Sequence, residues 1–274
     1  MSLVCIITAL PAESRVFIDS LKLKPILDHG WRLYGNSEHL LLQTGLGKLK
    51  SAAATSAVLH QRDDIQAVIN VGVAGGTDAI GTQLLAHCIV DQGSGFSTYP
   101  HLPPQRVVSS LPSTTIETLD KPSDDYRAGV SFDMEASGIF SAASPYLSSG
   151  SVQCVKVISD NPDAPLGEFK KDDVTALIST TVPVVNSLLD WYALNDNPSS
   201  IEKDVQHLAN TLTSQCHHSV NDKLQLSRLL HQHHALSGEL PELSALAETT
   251  SAASLRTQLN ALINEHPLRY GDFS

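Results

Sequence analysis

The stretch AVINVGVAGG, residues 67 to 76, begins with β-branched and small apolar side chains and closes on two adjacent glycines. A continuous apolar run bounded by turn residues reads as a strand buried on both faces. Its closing residues suit tight turns, or are small enough for a ligand to approach the backbone. The runs LVCIITAL (3 to 10), HLLLQTG (39 to 45), LLAHCIVDQG (84 to 93) and VQCVKVISD (152 to 160) repeat the pattern. Between and after them, GKLKSAAATSAVLHQ (47 to 61), MEASGIFSAASPYL (134 to 147) and DDVTALISTTVPVVNSLLDWYAL (172 to 194) have helical character. This ordering predicts an α/β fold, a central sheet with helices on its faces. In such sheets ligands bind where strands end.

Two segments break the alternation. Residues 94 to 130 carry five prolines and many Ser and Thr, and are expected to form long loops at a pocket rim, with QRVVSSL (105 to 111) as the one strand. NDNPSS (195 to 200) divides a domain over 1–194 from a C-terminal domain over 201–274. The latter, with IEKDVQHLANTL and SAASLRTQLNALINE, shows helical spacing throughout. It is expected to be a small all-helical appendage that docks a partner or a second subunit.

The 274 residues are 42% hydrophobic, enough for a large core, and carry a net charge of −11. That charge argues against general nucleic-acid binding, which is mostly phosphate neutralisation by Lys and Arg. No apolar run approaches the ~20 residues of a membrane span, and MSLVCIITAL has no basic region of a leader. A cytoplasmic protein with a small-molecule partner is expected, with neither nucleic acid nor membrane. Cys5, Cys88, Cys154 and Cys216 are far apart, without a CxxC pair. The His-bearing CHHS (216 to 219) and HQHH (231 to 234) lack i, i+4 spacing within themselves, so no metal is expected.

The candidates for chemistry are acids at strand ends. Glu13, in TALPAESR, falls in the first turn of a helix that follows the first strand. There a carboxylate is favoured by the helix dipole or is available for catalysis. Asp160 ends the strand VQCVKVIS, as an Asx turn, a helix cap or a general acid. Asp133 and Glu135, in SFDMEASGIF, stand at a helix start where a cap is the common fate of an acid. TGLGK (44 to 48) lacks the third glycine of a dinucleotide fingerprint and the spacing of a P-loop, so no cofactor is expected.

Taken together, ITALPAE, TGLGK, NVGVAGG, DMEASGIF and VKVISD occur in the order and approximate spacing of the purine nucleoside phosphorylase and uridine phosphorylase superfamily. Over residues 2 to 194 the chain resembles most the methylthioadenosine/S-adenosylhomocysteine nucleosidases. The resemblance implies a central mixed sheet flanked by helices, a homodimer, and hydrolysis of the N-glycosidic bond of an adenosine-type nucleoside, 5′-modified in several family members. Phosphorolysis and nucleoside binding without turnover are the alternatives. It implies Glu13 as the base that activates water, Asp160 as the acid that protonates the purine, and Ser159 as its orienting neighbour. Met134 and Glu135 would hold the sugar, with Val73, Gly75 and Lys156 also at the substrate site. The chain departs from the pattern in four places, one of them the region between residue 115 and DMEA, which is shorter than the family's. Val73 replaces a serine, Lys156 replaces an arginine, and the loop SSLPSTT (109 to 115) lacks the aromatic that stacks on the base.

Overall fold

The computed structural model describes residues 3–26, 30–108, 111–165, 171–194, 200–213, 219–237, 240–242, 246 and 251–264. The chain divides into two compact units, Met1–Asp196 and Asn197–Ser274. The first unit opens with β1 (Leu3–Thr8), α1 (Pro11–Ser20), β2 (Lys24–Ile26), β3 (Arg32–Gly35), β4 (His39–Gln43), α2 (Lys48–Gln61) and β5 (Ile65–Gly75). It continues through β6 (Gln83–Asp91), β7 (Ser97–Thr98), α3 (Gln105–Val108), β8 (Ser113–Thr118), β9 (Val130–Asp133), α4 (Ala136–Ala143), β10 (Val152–Asp160), α5 (Lys171–Ser179) and α6 (Val182–Leu194).

All the strands belong to one mixed sheet. β5 pairs in parallel with β1 on one edge and with β10 on the other, and β4 extends the sheet beyond β1. The remaining pairings run from β10 to β6, β8 and β9, and the Gly75–Phe132 pair brings β9 back to β5. Five strands therefore close a ring. The short β2 and β3 finish the other side, where exposed Lys24 and Pro25 suit an unpaired edge.

Period-two alternation divides the apolar side chains of each central strand between two cores. Leu3, Cys5 and Ile7 of β1, Val68 of β5, and Val152 and Cys154 of β10 join one core with α2 and α4. Val4, Ile6, Ala67, Ile69, Val71, Val155 and Val157 join the other, against α1, α5 and α6. This is why the strands read as unbroken hydrophobic runs. Each fully buried Ile or Leu among them contributes roughly 1.5–3 kcal/mol.

The proline-rich segment differs from its sequence reading. QRVV is helical as α3, because Pro103 and Pro104 fix the entry and the Val107 N–H donates to the Pro104 carbonyl. Ser109 and Ser110 lie outside the described residues. The strand is instead STTIET, where Thr114, Ile116 and Thr118 alternate inward. The long helix expected over 172–194 is two, α5 and α6. Pro183 fits the first turn of α6 but would break a helix running through it. The helix expected over 134–147 spans only Ala136–Ala143, so Met134 and Glu135 stand before it rather than in it.

The second unit contains α7 (Ser200–Thr213), α8 (Val220–Ser237) and α9 (Ala252–Asn264). Val205, Leu212, Leu226, Leu230, Leu255 and Leu259 give it a core of its own. Cys216, His217 and His218 lie outside the described residues; His233 is buried. Among the described residues no helix is long and apolar enough to cross a membrane, and no cluster of three or more His, Cys, Asp or Glu could hold a metal ion.

Candidate active site

The ends of β1, β5, β9 and β10 converge on one cavity of about 570 Å³, within the range of small-molecule sites. Glu13, Asp133, Glu135 and Asp160 all line it. Ala9, Leu10, Pro11, Leu46 and Val174 make a predominantly apolar wall, and Leu119, Pro122 and Phe132 contribute another.

Glu13 stands at the third position of α1, where Pro11 opens the helix, and its side chain folds back over the helix entry. Oε2 accepts the N–H groups of Ala9 (2.9 Å) and Leu10 (2.8 Å), and Oε1 accepts the N–H of Val73 (3.2 Å) at the end of β5. Val73 thus serves the site through its backbone as well as by lining the cavity. Burial raises the Glu13 pKa, opposed by these N–H donors and by Lys156.

Gly72, the residue before Val73, leaves space between Glu13 and Lys156. It is in register with Lys156 on β10, and a Cβ there would lie 3.1 Å from Glu13 Oε1 and 3.3 Å from Lys156 Nζ. Any larger residue would wedge between the acid and the ammonium.

Lys156 is 1% exposed and pairs with Asp133, Nζ to Oδ2 at 2.9 Å. Burial works against its charge, but Asp133 and the other acidic neighbours outweigh it and raise the pKa. Asp133 also accepts the Ala136 N–H (2.8 Å) and the Thr118 hydroxyl (2.6 Å). It caps α4, as its place in the sequence suggests, and at the same time neutralises Lys156. Lys156 itself does not line the cavity; it lies behind the acids that do.

Glu135 accepts the Gly47 N–H on Oε1 at 2.8 Å. Gly47 takes a φ of +99°, a conformation that favours glycine, so TGLGK delivers a backbone donor to Glu135. Gly138 brings α4 this close to α2, since a Cβ there would run into the Lys48 carbonyl. Burial, then repulsion from Asp133, pushes the Glu135 pKa up to about 7 against the pull of Lys156.

Asp160 closes β10 beyond a register shift against β5 at which Ser159 is the unpaired residue. Ser159 Oγ lies 2.5 Å from Asp160 Oδ1, and the Tyr126 hydroxyl donates to Oδ2 at 2.7 Å. Gly75 is required beside it: a Cβ there would be 2.7 Å from Asp160 Oδ2.

Of the residues singled out in the sequence, Glu13, Val73, Gly75, Met134, Glu135, Ser159 and Asp160 all line the cavity. Sequence reasoning missed the ion pairing of Asp133, the gap at Gly72, Phe132 and Tyr126. The rim was expected within 94–130, with its stacking ring sought at SSLPSTT. Residues 113–115 of SSLPSTT are already in β8, and the loop at the cavity end of that strand is 119–129, which carries Tyr126.

No family model matches the chain, and no curated protein matches its sequence. Solved structures do match its fold. The 5′-methylthioadenosine/S-adenosylhomocysteine nucleosidase of Helicobacter pylori superposes with a TM-score of 0.60 at 16% identity, over 69% of this chain and 98% of that one. Futalosine hydrolase of the same organism gives 0.58 at 16% identity, over 69% and 97%. The S. pneumoniae nucleosidase, solved with a transition-state inhibitor, gives 0.56 at 21% identity, over 68% and 98%. The chain therefore shares the fold of these solved structures.

Proposed function

We propose that the protein hydrolyses the N-glycosidic bond of an adenosine-type nucleoside. The observation that carries this reading is the meeting of Glu13, Glu135 and Asp160 in one cavity of nucleoside size. Breaking an N-ribosidic bond builds positive charge on the sugar and negative charge on the departing base. Asp160 gives a proton to the purine as the C1′–N bond electrons move onto it, and Ser159 orients the acid. Glu13, oriented by three N–H donors, takes a proton from the water that attacks C1′. The products are a neutral base and ribose bearing a new C1′ hydroxyl. Glu135 accepts the ribose hydroxyls, Met134 forms the apolar floor of the sugar, and Lys156 holds the carboxylates in place from behind.

Water is favoured over phosphate as nucleophile because the described residues lining the cavity include four acids and no Lys, Arg or His that would hold a phosphate dianion. The apolar wall of Ala9, Leu10, Pro11 and Val174 suits a 5′ substituent such as methylthio or hydrogen better than a charged group. Leu46 lines the cavity yet is 50% exposed, and Leu49 beside it is 82% exposed. A homodimer that covers them belongs to the same proposal, as does a cytoplasmic location, where the buried thiols Cys5, Cys88 and Cys154 stay reduced.

The test is release of free adenine from adenosine, 5′-deoxyadenosine and 5′-methylthioadenosine in phosphate-free buffer. Release there supports hydrolysis. Release only after phosphate is added makes the protein a phosphorylase and removes Glu13 from its role. Calorimetric binding without release makes it a nucleoside-binding protein. An unchanged rate in Asp160→Asn removes the acid.

A further inference from the structure

Tyr126 belongs to the 119–129 loop, and nothing in the nucleosidase reading assigns it a task. Its hydroxyl donates to Asp160 Oδ2 at 2.7 Å, while Ser159 holds Oδ1. Its ring rests on Gly75, with Cε1 3.3 Å from where a Cβ would be. The next residue anchors the loop: the Arg127 guanidinium pairs with Glu117 of β8 and lies over the Phe132 ring, 5.2 Å from its centroid. Glu117 and Phe132 are themselves register partners across β8 and β9. The phenol is thus delivered to the carboxylate by the sheet that builds the cavity.

Asp160 lines the cavity and Tyr126 does not. The phenol approaches the carboxyl group from the flank, so a ligand in the cavity and Tyr126 can address Asp160 together. From this arrangement we infer that Tyr126 is a positioning residue for the acid, promoting proton donation to the leaving base through Asp160. The inference rests on the proposed role of Asp160.

The chemistry follows from when charge appears. As the C1′–N bond breaks, the Asp160 proton passes to the base nitrogen and the carboxyl group becomes a carboxylate. That anion forms between two hydroxyl donors already in place, Tyr126 on Oδ2 and Ser159 on Oδ1. Hydrogen bonds to a carboxylate are about twice as strong as those to a neutral carboxyl. The Tyr126 bond therefore strengthens along the reaction, and a group that binds the transition state better than the ground state raises kcat.

The experiment compares Tyr126→Phe with the wild type on two kinds of leaving group. On 5′-methylthioadenosine or adenosine, whose base needs a proton, kcat is expected to fall about 10- to 100-fold with KM little changed. On 4-nitrophenyl β-D-riboside or 7-methylguanosine, whose leaving groups depart without a proton, the fall is expected to stay within about threefold. Equal losses on both kinds of substrate would make Tyr126 a loop latch, and no loss on either would make its hydroxyl idle; both overturn the inference. Asp160→Asn separates the two readings. If it abolishes adenine release while Tyr126→Phe leaves the rate unchanged, the inference fails alone. If it leaves release intact, or if the wild type cleaves no purine nucleoside, the acid assignment fails and the inference falls with it.

Discussion

Lys156 Nζ lies 2.9 Å from Asp133 Oδ2, and neither side chain reaches solvent. The pair is the one charge-neutral element under a floor of acids, and removing the cation leaves Asp133 buried without compensation. Lys156→Met is expected to destabilise the protein by about 3–5 kcal/mol in chemical denaturation. Adding Asp133→Asn should recover much of that loss, because the amide oxygen can still cap α4 without bringing a charge. A double variant no more stable than Lys156→Met would mean that the lysine acts through packing alone.

The parts of this site legible in the sequence are those carried by local pattern. β5 and β10 declare themselves as β-branched runs, and Glu13, Glu135 and Asp160 each stand at the end of such a run or at a helix start. The parts that were not legible depend on register. The pairing of Lys156 with Asp133 needs β10 and β9, which are not neighbours in the sheet, to bring their side chains together, and the adjacency of Gly72 to both Glu13 and Lys156 needs β5 as well. β8 was missed because its inward Thr114 and Thr118 are polar, so its alternation resembles that of a surface loop. With β8 unplaced, the loop after it could not be told apart within the 94–130 rim segment, and Tyr126 carried no signal that could tie it to Asp160.

Gly75 tests how closely Asp160 must be held. A methyl group there would sit 2.7 Å from Oδ2, closer than real Cβ contacts come, and would also press on the Tyr126 ring. The carboxylate would have to move by a sizeable fraction of an ångström. Gly75→Ala is expected to lower kcat for adenine release at least about 100-fold, the order that misplacing a catalytic group brings. Gly150→Ala is the control: its nearest neighbours are 3.9 Å away, and activity should hold. Wild-type activity in Gly75→Ala would mean that the Asp160 position is not critical.

Both cores of the sheet lie within Met1–Asp196, and among the described residues those lining the cavity fall between Ala9 and Val174. A chain ending at Asp196 is therefore expected to fold and to release adenine within about threefold of the full-length rate, as a unit with its own core should. Circular dichroism and the release assay check this together. A truncated chain that is folded but inactive would give the helical unit a part in catalysis.

Glu135 makes a prediction about pH whose sign is fixed by its environment. Its carboxyl holds a proton up to about 7 in the folded protein, whereas in the unfolded chain it releases it in the ordinary carboxylate range near 4.5. Between those values the native state binds more protons than the unfolded one, so this group's contribution to stability is full at the acid end and is lost as pH rises to 7 and beyond. Glu135→Gln cannot titrate, yet its amide oxygen can still accept the Gly47 N–H. Denaturation across pH 4 to 8.5 should show the variant gaining on the wild type through this window, by on the order of 3 kcal/mol at the top. A ribose-bearing ligand that needs the carboxylate should bind the wild type more tightly as pH rises through the same range and bind the variant without that dependence. Parallel stability curves would mean that Lys156 holds Glu135 ionised throughout, and the cavity floor would then carry one more negative charge at pH 6.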